Sequence, residues 1–391
     1  MRYTTTNMRL GIDMRAYSNS QYGGIVEYIR NVVRYMVQQE RTGEFKLFYS
    51  SKKHIEPLFL DTQFSHTQNY FYNYPSKLFF LSTQLLQKPS VDVLLKGVDV
   101  FFSPHILPVA LSNNTPQVLV VHDVSFQRFP QFFDTKRRMW HKAMHIKKQV
   151  RSAHHIITPS HATKADLMSL YSVDSQKISV VPLGVSRTTT QQSAHRWEAL
   201  QKQFSISKPY ILSLCVLEPR KNITTLIRAF NDIANKPAFQ NLKLVVAGPY
   251  GWSYKDILQQ ARTSQFQERI IITGAIPEEL KYELYCNASV FVYPSFFEGF
   301  GLQPLEAMSA GVPVVASHTS SIPEVVGNAA LFIDPRNAKQ IAAVIQELLG
   351  DKELQHHLTH AGLDRVQKFS WEKCATQTFN ILKQVGKDVV Q

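Results

Sequence analysis

The sequence predicts an α/β protein made of two Rossmann-like, doubly wound domains that face a cleft. Three observations lead there. The 391 residues exceed what one typical core organises and fit two domains of roughly 150–200 residues. Short apolar runs alternate with longer amphipathic stretches in both halves. Most apolar runs of the second half are hydrophobic at consecutive positions, as strands buried on both faces should be.

In the first half the expected strands are 8–14, 45–50, 98–103, 117–123, 154–160 and 177–183. Helical patterns lie between several of them, at 25–39 and 160–171, the latter with Ser160 as N-cap. The polar, Thr/Gln-rich stretch 184–197 breaks the pattern and reads as the connection between domains. A second series follows, with strands expected at 210–216, 242–248, 269–274, 289–295 and 312–317. Helical patterns occupy 337–387. The boundaries drawn are a first domain at 1–190, a linker at 191–208, a second domain at 209–368 and a closing helix at 369–391.

Composition narrows the function classes. No run approaches the ~18 apolar residues of a membrane span, and residues 1–10 lack the apolar stretch of a secretory signal. Cys215, Cys286 and Cys374 are too few and too scattered for a disulfide framework or a zinc site, so a cytoplasmic setting is expected. Charge is uneven: residues 1–200 hold 24 Lys and Arg against 13 Asp and Glu, residues 201–391 hold 19 against 17. A basic first half calls for an anionic partner: nucleic acid, a membrane surface or a phosphorylated substrate.

Doubly wound domains bind ligands at the carboxyl ends of their strands, so the residues there carry the functional argument. After the strand 289–295, ending at Ser295, stands the turn FFEGFG and then a helix from Leu302. Gly299 and Gly301 let a ligand approach the main chain, with Phe300 between them. The N–H groups and dipole of the following helix favour a phosphate. Glu306, inside that helix, suits a pair of sugar hydroxyls, and Glu298, eight residues earlier, reaches another part of the same ligand. Taken alone, Glu306 reads equally well as a carboxylate stabilised by the helix dipole. Arg220 and Lys221 follow the strand 210–216 and can neutralise a diphosphate, although a solvated loop pair is the commoner fate of Arg-Lys. Thr273 and Gly274 end a strand where main-chain groups could hold a nucleobase. In the first half, Gly23 and Gly24 open a strand-to-helix loop and permit close approach to a phosphate or an acceptor. His122 ends the strand QVLVVHD, where it could reach a sugar hydroxyl; a lone His there is more often structural.

Together these residues resemble the retaining glycosyltransferases of family four. The stretch 273–335 is similar to the signature region of that family, and Glu298 and Glu306 match its E-x7-E motif. LEPRKN (217–222), AGPYGW (247–252), the Gly-Gly loop, VHD (121–123) and FSWEKCATQTFNIL (369–382) extend the likeness over nearly the whole chain. The resemblance implies the GT-B fold, a nucleotide-sugar donor held by the second domain and an acceptor in the first. It assigns the ribose to Glu306, the transferred sugar's hydroxyls to Glu298, the departing diphosphate to Lys221 with Arg220, and a sugar contact to His122. Gly23, Gly24, Thr273, Gly274, Ser295, Gly299, Phe300, Gly301 and Leu302 count among the donor-binding residues. Catalysis on this pattern retains the anomeric configuration. Many members carry an Arg five positions before the Lys; here that position is Val216, and the role passes to Arg220. No Asp-x-Asp motif stands near these strands, so no metal and no other cofactor is expected.

The PRKN and HD strings resemble bacterial mannosyltransferases of polysaccharide and lipopolysaccharide synthesis, which implies GDP-mannose as donor, with UDP- or dTDP-sugars as the alternative. Residues 134–155 hold seven Lys and Arg and no acid after Asp134, with Met139, Ala143, Ile146 and Val150 at helical spacing. That stripe fits a core-packed helix with a basic outer face, and the face fits anionic lipid. The aromatic stretch 70–88 is expected beside it as a lid or membrane contact. The combination points to a glycan or polyprenyl-linked saccharide acceptor at the inner membrane face. A nucleic-acid-binding protein would explain the charge but leaves Glu298 and Glu306 without a role. A nucleotide-sugar epimerase and a silent sugar-binding homologue remain as rivals of the same fold.

Overall fold

The computed structural model describes residues 8–18, 23–51, 56–59, 63–186 and 192–388. The chain divides into two compact units, one of Met1–Val124, Met139–Gly184 and Ser370–Gln391, the other of Ser125–Arg138 and Val185–Phe369. Among the described residues no helix is long and apolar enough to cross a membrane.

The first unit holds a seven-stranded parallel sheet: β1 (Arg9–Asp13), β2 (Glu44–Ser50), β3 (Thr67–Tyr72), β4 (Val100–Ser103), β5 (Gln117–Val120), β6 (His155–Thr158) and β7 (Ile178–Val180). The order is β3-β2-β1-β4-β5-β6-β7, so the winding reverses between β1 and β4. Central strands are buried on both faces, as in VFFS of β4, which explains their unbroken apolar runs. Helix Gly24–Gln39 buries Val26, Ile29, Val33, Met36 and Val37, a stripe at helical spacing. The closing helix Trp371–Asp388 packs along it, with Tyr28 and Trp371 rings 6.4 Å apart and Lys383 donating to Glu40 at 2.7 Å.

The second unit holds β8 (Tyr210–Leu214), β9 (Lys243–Ala247), β10 (Ile270–Gly274), β11 (Val290–Tyr293), β12 (Val314–Ser317) and β13 (Ala330–Ile333), in the order β10-β9-β8-β11-β12-β13. Its reversal falls between β8 and β11. Helix Ile223–Ala234 covers one face with Leu226, Ile227, Phe230 and Ile233 fully buried. The segment Ser125–Arg138 belongs here through aromatic contacts: Phe129 on Phe297, Phe132 on Phe296 and Phe133 on Trp252, with ring centroids 5.5, 5.2 and 5.2 Å apart.

Several local expectations change. The stretch 70–88, expected as a lid or membrane contact, contains the end of edge strand β3 and helix Ser76–Leu86. The stripe at 139–150 is split, because His145 adopts a left-handed conformation (φ 47°) between helices Thr135–Ala143 and Ile146–Ser152. Ile146 and Val150 are buried while Met139 is 68% exposed. Strand β5 stops at Val120, two residues short of His122. Within 191–208 lies helix Ala194–Phe204, capped by the Ser193 side chain; residues 187–191 are outside the described residues, as are 19–22 of the loop before Gly23. Ser160 caps helix His161–Tyr171 by accepting from the Thr163 N–H.

Candidate active site

Two loops of the second unit meet at its switch point. The chain leaves β8 and forms a short 3-10 turn, Pro219–Lys221, before helix Ile223–Ala234. It leaves β11 and forms the turn 294–301 before helix Leu302–Ser309. Because β8 and β11 are hydrogen-bonded neighbours, the Arg-Lys pair and Glu298 are brought together although 77 residues separate Lys221 from Glu298. Such a reversal point is where open α/β sheets bind ligands.

The resulting cluster is tightly knit. Arg220 Nη1 donates to Glu298 Oε2 at 2.7 Å and to the Phe297 carbonyl at 2.7 Å, while Lys221 Nζ donates to Glu298 Oε1 at 2.7 Å. Arg220 also pairs with Glu218 at 2.6 Å. Lys221 Nζ reaches the Tyr293 hydroxyl at 3.1 Å, which in turn donates to Gln303 at 2.9 Å. Lys221, Glu218 and Glu298 are each buried. Burial alone pushes the Glu298 carboxyl up; Arg220 and Lys221 outweigh it and hold the group at about 2, fully ionised. Burial wins at Glu218, whose carboxyl lies above its ordinary range despite Arg220.

The turn itself is pinned from a third loop. Ser320 and Ser321 both donate to the Glu298 carbonyl, at 2.6 and 2.8 Å, and Ser321 also to the Phe300 carbonyl at 3.0 Å. Gly301, the N-cap of helix Leu302–Ser309, has φ +97°, open to glycine and strained for any side chain. Ser295 is fully buried, and Gly299, Phe300 and Leu302 are buried as well.

Glu306 belongs to a separate contact set. Lys281 Nζ donates to its Oε1 at 2.9 Å and the Tyr285 hydroxyl to its Oε2 at 2.7 Å, both from helix Glu278–Cys286. Thr273 and Gly274 end β10; the Thr273 hydroxyl donates to the Gly274 carbonyl, which also accepts from the Gly248 N–H at 2.8 Å. The structure joins Glu298 directly to Arg220 and Lys221 and leaves Glu306 with different partners. Lys281 and Tyr285 escaped notice, although their i, i+4 spacing places them on one helix face. Glu218 stands within LEPRKN. Ser320 and Ser321 lie within the stretch 273–335 but outside its E-x7-E motif.

In the first unit, His122 Nε2 lies 2.9 Å from the Pro104 carbonyl and the ring meets Tyr28 edge-on at 4.8 Å. Tyr28 comes from the helix that Gly23 (φ +124°) and Gly24 open. Burial lowers the His122 pKa and keeps the ring neutral. A second ring, His105, lies 6.0 Å away after β4; burial first, then His122, His141 and Arg15, lower it to about 3. Sequence reasoning did not select His105.

Comparison with known proteins agrees with this architecture. The family described as Glycosyltransferase Family 4 matches residues 22–188, and that described as Glycosyl transferases group 1 matches residues 196–365. O-antigen chain mannosyltransferase B of Escherichia coli is 35% identical over 285 residues, 72% of this chain and 72% of that protein. Among solved structures, sucrose-phosphate synthase from Thermosynechococcus elongatus matches with a TM-score of 0.75 over 97% of this chain and 99% of that one, at 20% identity. Anabaena HepE in complex with UDP-glucose matches with a TM-score of 0.72 over 97% of this chain and 100% of that one, at 15% identity. Two parallel-sheet α/β units of the GT-B class, matched in sequence along both, establish that the chain belongs to the group 1, family 4 glycosyltransferases.

Proposed function

We propose that the chain is a retaining hexosyltransferase that moves mannose from GDP-mannose to a glycan or lipid-linked saccharide in cell-surface polysaccharide synthesis. The observation that carries the reading is the Arg220–Lys221–Glu298 cluster at the switch point of the second sheet. Mannose is favoured by the likeness to an O-antigen mannosyltransferase. A UDP-sugar donor is the second reading, favoured by the fold neighbour that holds UDP-glucose.

In this reading Glu306 accepts from the ribose hydroxyls, and the diphosphate meets Arg220, Lys221 and the N–H groups at the start of helix Leu302–Ser309. Glu298, kept ionised by its cations, accepts from hydroxyls of the transferred sugar. His122, neutral, is assigned a contact with the sugar on the strength of the family resemblance alone. As the bond between the anomeric carbon and the phosphate oxygen breaks, its electrons pass to the diphosphate, whose charge Arg220 and Lys221 offset. The acceptor hydroxyl bonds to the same carbon on the same face and gives its proton to the departing phosphate oxygen. Preorganised cations do the electrostatic work, so transfer is expected to continue in EDTA at an unchanged rate. A rate falling more than about tenfold would overturn metal independence. The protein works in the cytoplasm, associated peripherally with the inner membrane face.

The deciding experiment incubates the enzyme with GDP-mannose and a saccharide acceptor and reads the anomeric coupling of the product by NMR. An α-linked product from the α-linked donor is expected; a β-linked one defeats retention. Mannose released from the nucleotide without an acceptor adduct, or an epimerised donor, defeats transfer.

A further inference from the structure

Helix Ser76–Leu86 is turned inside out relative to an ordinary surface helix. It buries Phe79 and Thr83 and presents Leu78, Leu81 and Leu85, one face at i, i+3, i+7 spacing, to the exterior together with Leu86. Leu85 is 72% and Leu86 70% exposed. The apolar surface continues onto the chain at Met139 and Trp140, both exposed. Contact between the two segments is direct: Phe80 and Trp140 rings lie 5.0 Å apart, and Gln84 donates to the Ala143 carbonyl at 3.2 Å. Monomeric soluble proteins rarely expose contiguous apolar surface of this kind unless it meets a partner.

The rim tells which partner. Lys77, Lys88, Lys142, Lys147, Lys148 and Arg151 are all exposed, and residues 76–90 and 139–155 contain no Asp or Glu. The segment that follows Trp140 carries an open depression lined by His145, Lys147, Lys148, Arg151 and Ser152. Its chemistry suits phosphate groups. We infer that the leucine face of Ser76–Leu86, with Met139 and Trp140, is the surface by which the chain docks on an anionic phospholipid bilayer. The leucines and Trp140 enter the headgroup–acyl boundary while the cations hold lipid phosphates. A second copy of this chain is disfavoured as occupant, because a two-fold contact would set cation rims against each other with no acid between them. The inference rests on the proposed membrane-linked acceptor and gives it a place on the molecule.

The test is co-sedimentation with vesicles of phosphatidylglycerol and phosphatidylcholine, compared with pure phosphatidylcholine, at low and high salt. The full chain is expected to pellet with the anionic vesicles at low salt, at least tenfold more than with neutral ones. The triple variant Leu78→Ser, Leu81→Ser, Leu85→Ser and, separately, Lys147→Glu with Lys148→Glu should each lose at least tenfold in vesicle affinity. Wild-type fluorescence should shift to the blue on anionic vesicles, and Trp140→Phe should abolish that shift. Folding of each variant is checked by its thermal shift with GDP, which is also the readout that fails separately if the donor assignment is wrong. Wild-type-like pelleting by both variants overturns the inference. So does absence of pelleting, or a solution dimer that the leucine variant converts to monomer.

Discussion

Glu298 and Glu218 set two negative charges against the two positive charges of Arg220 and Lys221, so the cluster is close to neutral as it stands. Glu298→Gln removes one charge and leaves buried cations short of a partner, a loss of about 3–5 kcal/mol in stability where nothing replaces it. A nucleoside diphosphate supplies that replacement. The variant is therefore expected to melt lower than the parent, yet to bind GDP or UDP about five- to tenfold more tightly by calorimetry, or about 1–1.4 kcal/mol, while glycosyl transfer is lost. Weaker diphosphate binding in Glu298→Gln would remove Arg220 and Lys221 from the phosphate role. Glu306→Ala should act in the opposite sense, reducing the nucleotide-induced thermal shift. The motif residues were legible in the sequence because their spacing survives as a string. Their pairing was not, since it depends on two neighbouring strands whose loops are far apart in the chain.

The turn from β11 into helix Leu302–Ser309 depends on Gly301 and on the two serines that hold its carbonyls. Gly301→Ala places a side chain in the left-handed region, costing about 1–2 kcal/mol. Ser321→Ala removes the one hydroxyl proton shared between the Glu298 and Phe300 carbonyls and is expected to raise the donor KM several-fold with a smaller change in kcat. An unchanged KM would mean that the turn keeps its shape without the serine. The glycine was predictable from the GFG string, whereas Ser320 and Ser321 lie some twenty residues later, and only the folded chain brings them to the turn. Edge strand β3 escaped for a related reason: TQNYFY mixes polar and aromatic residues at a sheet margin, where the continuous apolar run of a central strand is not required. The basic segment misled through periodicity. Met139 and Val150 share a helical face only if the helix is unbroken, and His145 breaks it.

For the molecule as a whole, acidification should act in two stages. His105, held at about 3 against an ordinary 6.5, is neutral in the fold, so protons bind the unfolded chain first and stability falls as pH drops from about 6.5 toward 3. Glu298, held at about 2 against 4.5, adds a loss as pH falls from about 4.5 toward 2. Each group contributes at most about 1.4 kcal/mol per pH unit. Urea melts between pH 7 and pH 4 should show a shallower decline in His105→Gln; a parallel decline would assign the upper stage elsewhere. The two-sheet architecture was legible because buried parallel strands read as plain apolar runs. Membership of the segment Ser125–Arg138 was not, for nothing in its composition separates it from its flanks. Its placement bears on how the protein can be cut. A recombinant fragment beginning at Val185 would lack Phe129, Phe132 and Phe133, stripping the aromatic cover from Phe296, Phe297 and Trp252. Such a fragment should be sticky and prone to precipitate, and supplying 125–138 as a synthetic peptide is the natural remedy.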